Sequence, residues 1–159
     1  GQGSIISIGN ASTEARKPPS WEYRVDMAGI SARPFEVNIS ESGLSLMVCV
    51  VEYSRFLEEG RNGHGLFLAL PGDVAYIILR SRVRGDRIRL ATGTRKIKDI
   101  LIDMKVPVRL RDSIPVVMAG DETAALMTGV IQGYSHRVGC NFMVSEMSQK
   151  ILAIYRVGG

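Results

Sequence analysis

The chain is poor in the side chains that do most enzyme chemistry. It has two cysteines, Cys49 and Cys140, and two histidines, His64 and His136. Neither pair falls at a metal-ligand spacing, so no metal site is expected. With so few cysteines no disulfide framework is expected, and a reducing, cytoplasmic compartment is the default. No apolar run approaches the ~20 residues that span a bilayer, so a membrane is excluded as partner. Gly1-Gln2-Gly3 lacks the charged start of a signal peptide and is read as an artificial end or an internal cut. No dinucleotide fingerprint or P-loop is present: Gly60-Arg61-Asn62-Gly63-His64-Gly65 has glycines at the wrong spacing and is read as a loop. His64 and His136 have no nucleophile or patterned carboxylate beside them and are read as surface histidines, and Cys140 has no triad signature. Arg84-Gly85-Asp86 spells an integrin tripeptide, and Asn10-Ala11-Ser12 and Asn38-Ile39-Ser40 spell sequons. Without a secretory context none of these carries a function. No catalytic residue is assigned.

What is present is an ordinary globular composition with its charge in one place. The 159 residues are 45% hydrophobic and 23% charged, enough for one domain with its own core. The net charge of +4 is unevenly held: 11 of the 20 basic residues lie in 79–111, against three acids there, while both flanks are slightly acidic. Charge concentrated in this way points to a polyanion, with a merely solvated basic face as the bland alternative.

The elements are mostly strands. Ser4–Ile8 is a short strand followed by a polar linker through Pro18-Pro19, so residues 1–19 are set apart from a domain at 20–159. Strands are expected at Trp21–Met27, Phe35–Ile39, Leu44–Val51, Leu66–Leu70, Ala75–Leu79, Ile114–Met118, Thr123–Ile131 and Ile151–Val157. Glu41-Ser42-Gly43 and Pro71-Gly72-Asp73 are turns. The continuous apolarity of Leu44–Val51 predicts a strand covered on both faces. One helix is expected over Arg95–Lys105, capped by Thr94, with Ile97, Ile100, Leu101 and Met104 on its buried face and Ile102 exposed. A second helical turn is expected at Val108–Asp112. Met104, Met118, Met127, Met143 and Met147 are read as core filler. The class is α+β.

In the basic core, 79–115, a strand end and glycine turn (Arg84, Gly85, Arg87) run towards a second glycine, Gly93, and the basic helix start Arg95, Lys96 and Lys98. A helix N-terminus behind a glycine would offer N–H groups to phosphate. Arg109 and Arg111 follow. Arg111-Asp112 and Asp86-Arg87 could each instead hold a turn.

The order Arg80-Ser81-Arg82, Gly85-Asp86-Arg87, Gly93-Thr94-Arg95-Lys96-Ile97-Lys98-Asp99-Ile100, Val106-Pro107 and Arg111-Asp112-x-x-Pro115 resembles the C-terminal domain of bacterial tRNA(Ile)-lysidine synthetases. Arg84 stands where that family usually has proline, and Met127-Thr128-Gly129 where it often has Pro-Gly. The resemblance implies a three-layer α+β fold with an unusual β-sandwich, shared with the phenylalanyl-tRNA synthetase β-subunit. It implies a tRNA ligand, held in part by its acceptor stem, with Arg84, Arg87, Arg95, Lys96, Lys98, Arg109 and Arg111 as contacts and Gly85 and Gly93 shaping the loops. The family's lysine ligation, with its ATP and Mg, belongs to an N-terminal catalytic domain of the same parent chain, whose Ser-Gly-Gly-x-Asp-Ser loop is absent here. This chain is expected to carry no cofactor and to be inactive alone. The rival expectation is a protein-interaction or dimerisation module that meets an acidic partner. Homodimerisation through an exposed strand edge stays open.

Overall fold

Leu44–Val51 (β3) organises half of the domain, because its side chains alternate between two separate cores. Leu44, Leu46 and Val48 face the main core, while Cys49 and Val51 face a smaller one. The double burial expected from its sequence follows from that position. The computed structural model describes residues 17–31, 33–60 and 65–158. The strand expected at Ser4–Ile8, most of the linker behind it, the sequon at Asn10 and His64 lie outside those residues.

β3 pairs with β2 (Phe35–Ile39) across a four-residue turn and with the last strand, β11 (Lys150–Arg156). β11 in turn pairs with β4 (Gly65–Leu70), giving a four-stranded sheet of order β2-β3-β11-β4. The turn at Pro71–Val74, closed by the Val74 N–H on the Pro71 carbonyl (3.2 Å), then carries the chain into a second sheet. That sheet has the order β1 (Glu22–Asp26), β5 (Tyr76–Arg80), β8 (Val116–Ala119), β9 (Glu122–Leu126), β10 (Arg137–Val138), and it is antiparallel throughout. The two sheets close on one apolar interior, in which Ile77, Leu79 and Val117 meet Leu46, Leu68 and Ile154.

The outer faces are covered differently. On the four-stranded sheet, helix α2 (Tyr53–Glu59) lays Tyr53 and Phe56 against Phe67 and Tyr155, with edge-on ring contacts at 5.5–5.8 Å. On the five-stranded sheet, a two-stranded ribbon, β6 (Arg87–Leu90) and β7 (Gly93–Lys96), and helix α3 (Ile97–Asp103) enclose Ile88, Ile97, Ile100 and Leu101 over Val116 and Leu126. Layers of helix and ribbon, sheet, and sheet give the α+β sandwich that the strand pattern and the resemblance implied. Short helices at Met27–Ile30 (α1) and Val108–Arg111 (α4) complete the elements that concern the site.

Several expectations need correction. Met27 starts α1 and does not end β1. Helix α2 was not foreseen, because its apolar contacts come from Tyr53 and Phe56 alone, too few to show a period. The run expected as one strand over Thr123–Ile131 stops at Leu126 and turns through a 3-10 segment at Thr128–Val130. Met143 and Met147 are 60% and 82% exposed, since they sit in the turn-rich segment before β11 and no regular element carries them inward. Ile102 is exposed, as its place off the helical stripe predicts.

Helix α3 ends at a residue ill suited to the job. The Val106 N–H reaches back to the Leu101 carbonyl (3.1 Å) and Lys105 N–H to that of Ile102 (3.0 Å), with Lys105 in the left-handed region at φ 59°. Glycine is the usual residue there because a Cβ is strained in that conformation. Lys105→Gly is therefore expected to stabilise the fold by about 1 kcal/mol, as a higher midpoint in urea unfolding.

His136 is not the surface histidine expected. Its imidazole packs against Gly129, where an added Cβ would lie 2.7 Å from the ring, and its Nδ1 accepts the Gly129 N–H at 3.1 Å. Burial disfavours the charged ring and pulls its pKa from the ordinary 6.5 down to about 4. The unfolded chain therefore takes up this proton first. The stabilisation is full above about pH 6.5, and it is lost as pH falls from there towards 4. Between pH 7 and pH 5 unfolding should become easier by about 2 kcal/mol from this group alone. His136→Asn, which keeps an acceptor and cannot titrate in that range, should flatten the dependence in chemical denaturation.

Candidate nucleic-acid interface

The basic segment is built on a buried ion pair. Arg80 ends β5 and Asp86 sits six residues on, after the turn. The guanidinium and carboxylate meet side by side, Nη1 to Oδ2 and Nη2 to Oδ1, both at 2.9 Å, with the side chains only 11% and 9% exposed. Asp86 Oδ2 also accepts the Val83 N–H (2.7 Å), and the Asp86 N–H closes the turn on the Val83 carbonyl (3.2 Å). Gly85 has φ 92°, the value a type II turn requires at its third residue. Arg84 thus occupies the second position, where proline fits but other residues are accepted. The aspartate of the Arg84-Gly85-Asp86 tripeptide faces inward, so it is not offered to a partner.

The Asp86 carbonyl accepts the N–H of Ile97 (2.9 Å), the first residue of α3. One residue thereby joins the end of β5, the turn and the start of the helix. It also overturns the expected helix boundary. Arg95 and Lys96 belong to strand β7, Lys96 holds the N-cap position, and the Ile97 N–H is already spent on Asp86. Gly93, with φ 127°, shapes the turn of the ribbon and does not precede the helix. The Ile97 N–H is therefore not available to an anion at the helix start.

A groove of about 550 Å³ runs between the turn and the ribbon. Arg84, Arg87, Lys96 and Lys98 line it and are exposed, and none makes an ion pair among the described residues. Arg87 and Lys96 are direct cross-strand partners. Like charges set opposite each other on a ribbon, and lysines at the N-terminal end of a helix, both oppose folding. Their presence together is a burden that a purely structural role leaves unexplained.

The other expected residues lie elsewhere. Arg95 opposes Ile88 on the opposite face of the ribbon and pairs with Asp103 of α3. Arg109 is exposed on α4 and does not line the groove. Arg111 donates from Nε to the Val106 carbonyl (2.9 Å), which holds the α3–α4 connection. It does not pair with Asp112, whose partner is Arg82 at 2.9 Å. Two arginines that sequence reasoning passed over are placed at the site: Arg82 in this groove, and Arg89 beside Arg87 and Thr94 in a second groove whose far wall carries Asp121 and Glu122. The alternation Arg87-Ile88-Arg89, apolar between two bases, is the strand signal that groups Arg89 with Arg87.

Among the described residues no three His, Cys, Asp or Glu side chains gather as a metal site. Cys49 is buried with its thiol pKa raised by that burial, and Cys140 Sγ donates to Asn141 Oδ1 (3.9 Å). No helix among the described residues is long and apolar enough to cross a membrane.

Residues 77–135, which hold the turn, ribbon, α3 and α4, match the domain family described as TilS substrate C-terminal domain. The chain is 33% identical over 78 residues to a tRNA(Ile)-lysidine synthase of Clostridioides difficile, covering 49% of this chain and 15% of that protein. It is 37% identical over 101 residues to one of Bacillus licheniformis, covering 62% and 19%. It is also 45% identical over 65 residues to one of Symbiobacterium thermophilum, covering 40% and 13%. The chain therefore spans less than a fifth of the length of these three relatives. A crystal structure of a TilS C-terminal domain superposes with a TM-score of 0.61 at 23% identity, covering 87% of this chain and all of that one, so the fold is shared. The residues that build the groove lie in the segment that carries the family match, and that segment, 77–135, corresponds to the C-terminal domain of the bacterial tRNA(Ile)-lysidine synthases.

Proposed function

We propose that this chain is the tRNA-holding C-terminal part of an ATP-dependent ligase that joins lysine to the wobble cytidine of an isoleucine tRNA. Catalysis, with its ATP and Mg, belongs in this reading to an N-terminal domain of the same parent chain, and the work is cytoplasmic. The groove grips phosphates of the tRNA, at the acceptor stem, through Arg84, Arg87, Lys96 and Lys98. The supporting observation is the placement of these four cations on one groove, none of them in an ion pair among the described residues, at some expense to the ribbon and helix that carry them. Arg109 can reach RNA only outside the groove, and Arg95 and Arg111 contribute by holding α3 and α4 in place. Contacts of this kind position RNA without reading bases, and an A-form stem is met through its phosphates and 2′-hydroxyls.

Salt tests this reading. With four cations replacing counterions, log affinity for a tRNA transcript should fall with log salt at a slope of roughly −3 to −4, taking the duplex coefficient. A filter-binding or anisotropy titration between 50 and ~200 mM salt measures it. A flat titration, or no binding at the lower salt, would sink the RNA reading in favour of an acidic protein partner or a second copy of the chain.

A further inference from the structure

We propose that Arg82 is a further phosphate contact of this groove, released to the RNA backbone from Asp112, which acts as its stand-in acceptor in the free protein. The inference rests on the reading of the groove as a tRNA-backbone site. Arg82 lines the groove beside Arg84, yet it differs from the four open cations in being paired, Nε to Asp112 Oδ1 at 2.9 Å. That is one bond of the five N–H donors a guanidinium holds. The two outer nitrogens of Arg82 have no partner among the described residues. A phosphate can accept two parallel bonds from such a group, which a single-bond contact to a carboxylate does not match.

Asp112 is suited to be displaced. Its carboxylate is 70% exposed against 27% for Arg82, and exposed pairs of this kind are worth little. Its architectural contact is made by the backbone, the Asp112 carbonyl accepting the Trp21 Nε1–H at 3.1 Å, so the side chain is free to change partner. The groove has one other carboxylate lining it, that of Asp86, which Arg80 neutralises in the buried pair. Asp112 is therefore the negative charge that an incoming phosphate meets, and it holds affinity below what the cations alone would give.

The test is a double-mutant cycle read by tRNA-transcript binding to the chain at several salt concentrations. Asp112→Asn is nearly isosteric and leaves the backbone contact to Trp21 in place. It should bind RNA about three- to tenfold more tightly, with the salt slope steeper by about one. Adding Arg82→Ala to that variant should cancel the gain in affinity and in slope. Tighter binding by Asp112→Asn that survives removal of Arg82 would overturn the exchange, as would unchanged or weaker binding by Asp112→Asn alone. Absence of binding by the unaltered chain would instead remove the tRNA reading itself, and the exchange with it. Thermal unfolding of each variant, expected within a few degrees of the parent, separates these outcomes from loss of fold.

Discussion

Asp86→Ala is expected to destabilise the domain by about 3–5 kcal/mol, because it removes one partner of a buried ion pair and strands the other. Arg80 would keep its full charge, with its bonds reduced to the Ser81 carbonyl (3.0 Å) and the Met118 sulfur (3.4 Å). The Val83 N–H would lose its acceptor as well. A loss of this size is a large part of the 5–15 kcal/mol that holds an ordinary domain together, so the melting temperature should fall by about 10 °C or more. Asp26→Ala, which breaks the exposed pair to Arg24, provides the contrast and should change stability by less than about 1 kcal/mol. Equal losses in the two variants, measured by denaturant unfolding, would show that the Arg80–Asp86 pair is not the clamp its geometry describes.

That clamp also explains why some of the site could be read in the sequence and some could not. The sheets were legible: Phe35–Ile39, Leu44–Val51 and Lys150–Arg156 carry β-branched and apolar residues at strand spacing, and turn residues mark where they stop. The basic segment was legible as a segment, since eleven cations in 33 residues need no structure to be seen. What each cation does was hidden. Ile97, Ile100, Leu101 and Met104 form a helical stripe whose period extends back over Arg95 and Lys96, so propensity gave no reason to begin the helix later. The reason lies upstream, in the Asp86 carbonyl that takes the Ile97 N–H and in the pairing of Lys96 with Arg87. Both are contacts between distant residues, which a local pattern does not encode.

The same limit applies to the division between groove and scaffold. Arg80, Arg95 and Arg111 are chemically indistinguishable from Arg84 and Arg87 on paper. They differ because Asp86, Asp103 and the Val106 carbonyl happen to stand beside them in the fold. Strand alternation could have narrowed the choice: Arg87 and Arg89 share one face of β6, and Ile88 with Arg95 share the other. His136 shows the converse. It has no sequence partner, yet the fold packs its ring against Gly129, and the desolvation of that ring lowers its pKa and predicts the pH dependence of stability given above.

Lys96→Glu together with Lys98→Glu is expected to weaken tRNA binding by about a hundredfold or more at low salt while leaving the fold as stable as before or slightly more so. Two attractive charges become repulsive ones at the groove wall, and like charges set against each other across an interface cost several kcal/mol. Stability should move the other way. Lys96 is the N-cap residue of α3 and Lys98 lies in its first turn beside Asp99, so each cation faces the positive end of the helix. A carboxylate at either position gains from that field, by a few tenths to about 1 kcal/mol. At position 96 it also faces Arg87 directly across the ribbon, converting a like-charge pair into an opposite-charge one. The opposed signs make the experiment decisive, since a variant that binds worse because it is less folded cannot also melt higher. Unfolding of the double variant would mean that these lysines support the ribbon in a way their exposed positions do not suggest. Binding equal to that of the parent, with an intact fold, would mean that RNA lies on another face, and the groove between Arg84 and Lys98 would lose its assignment.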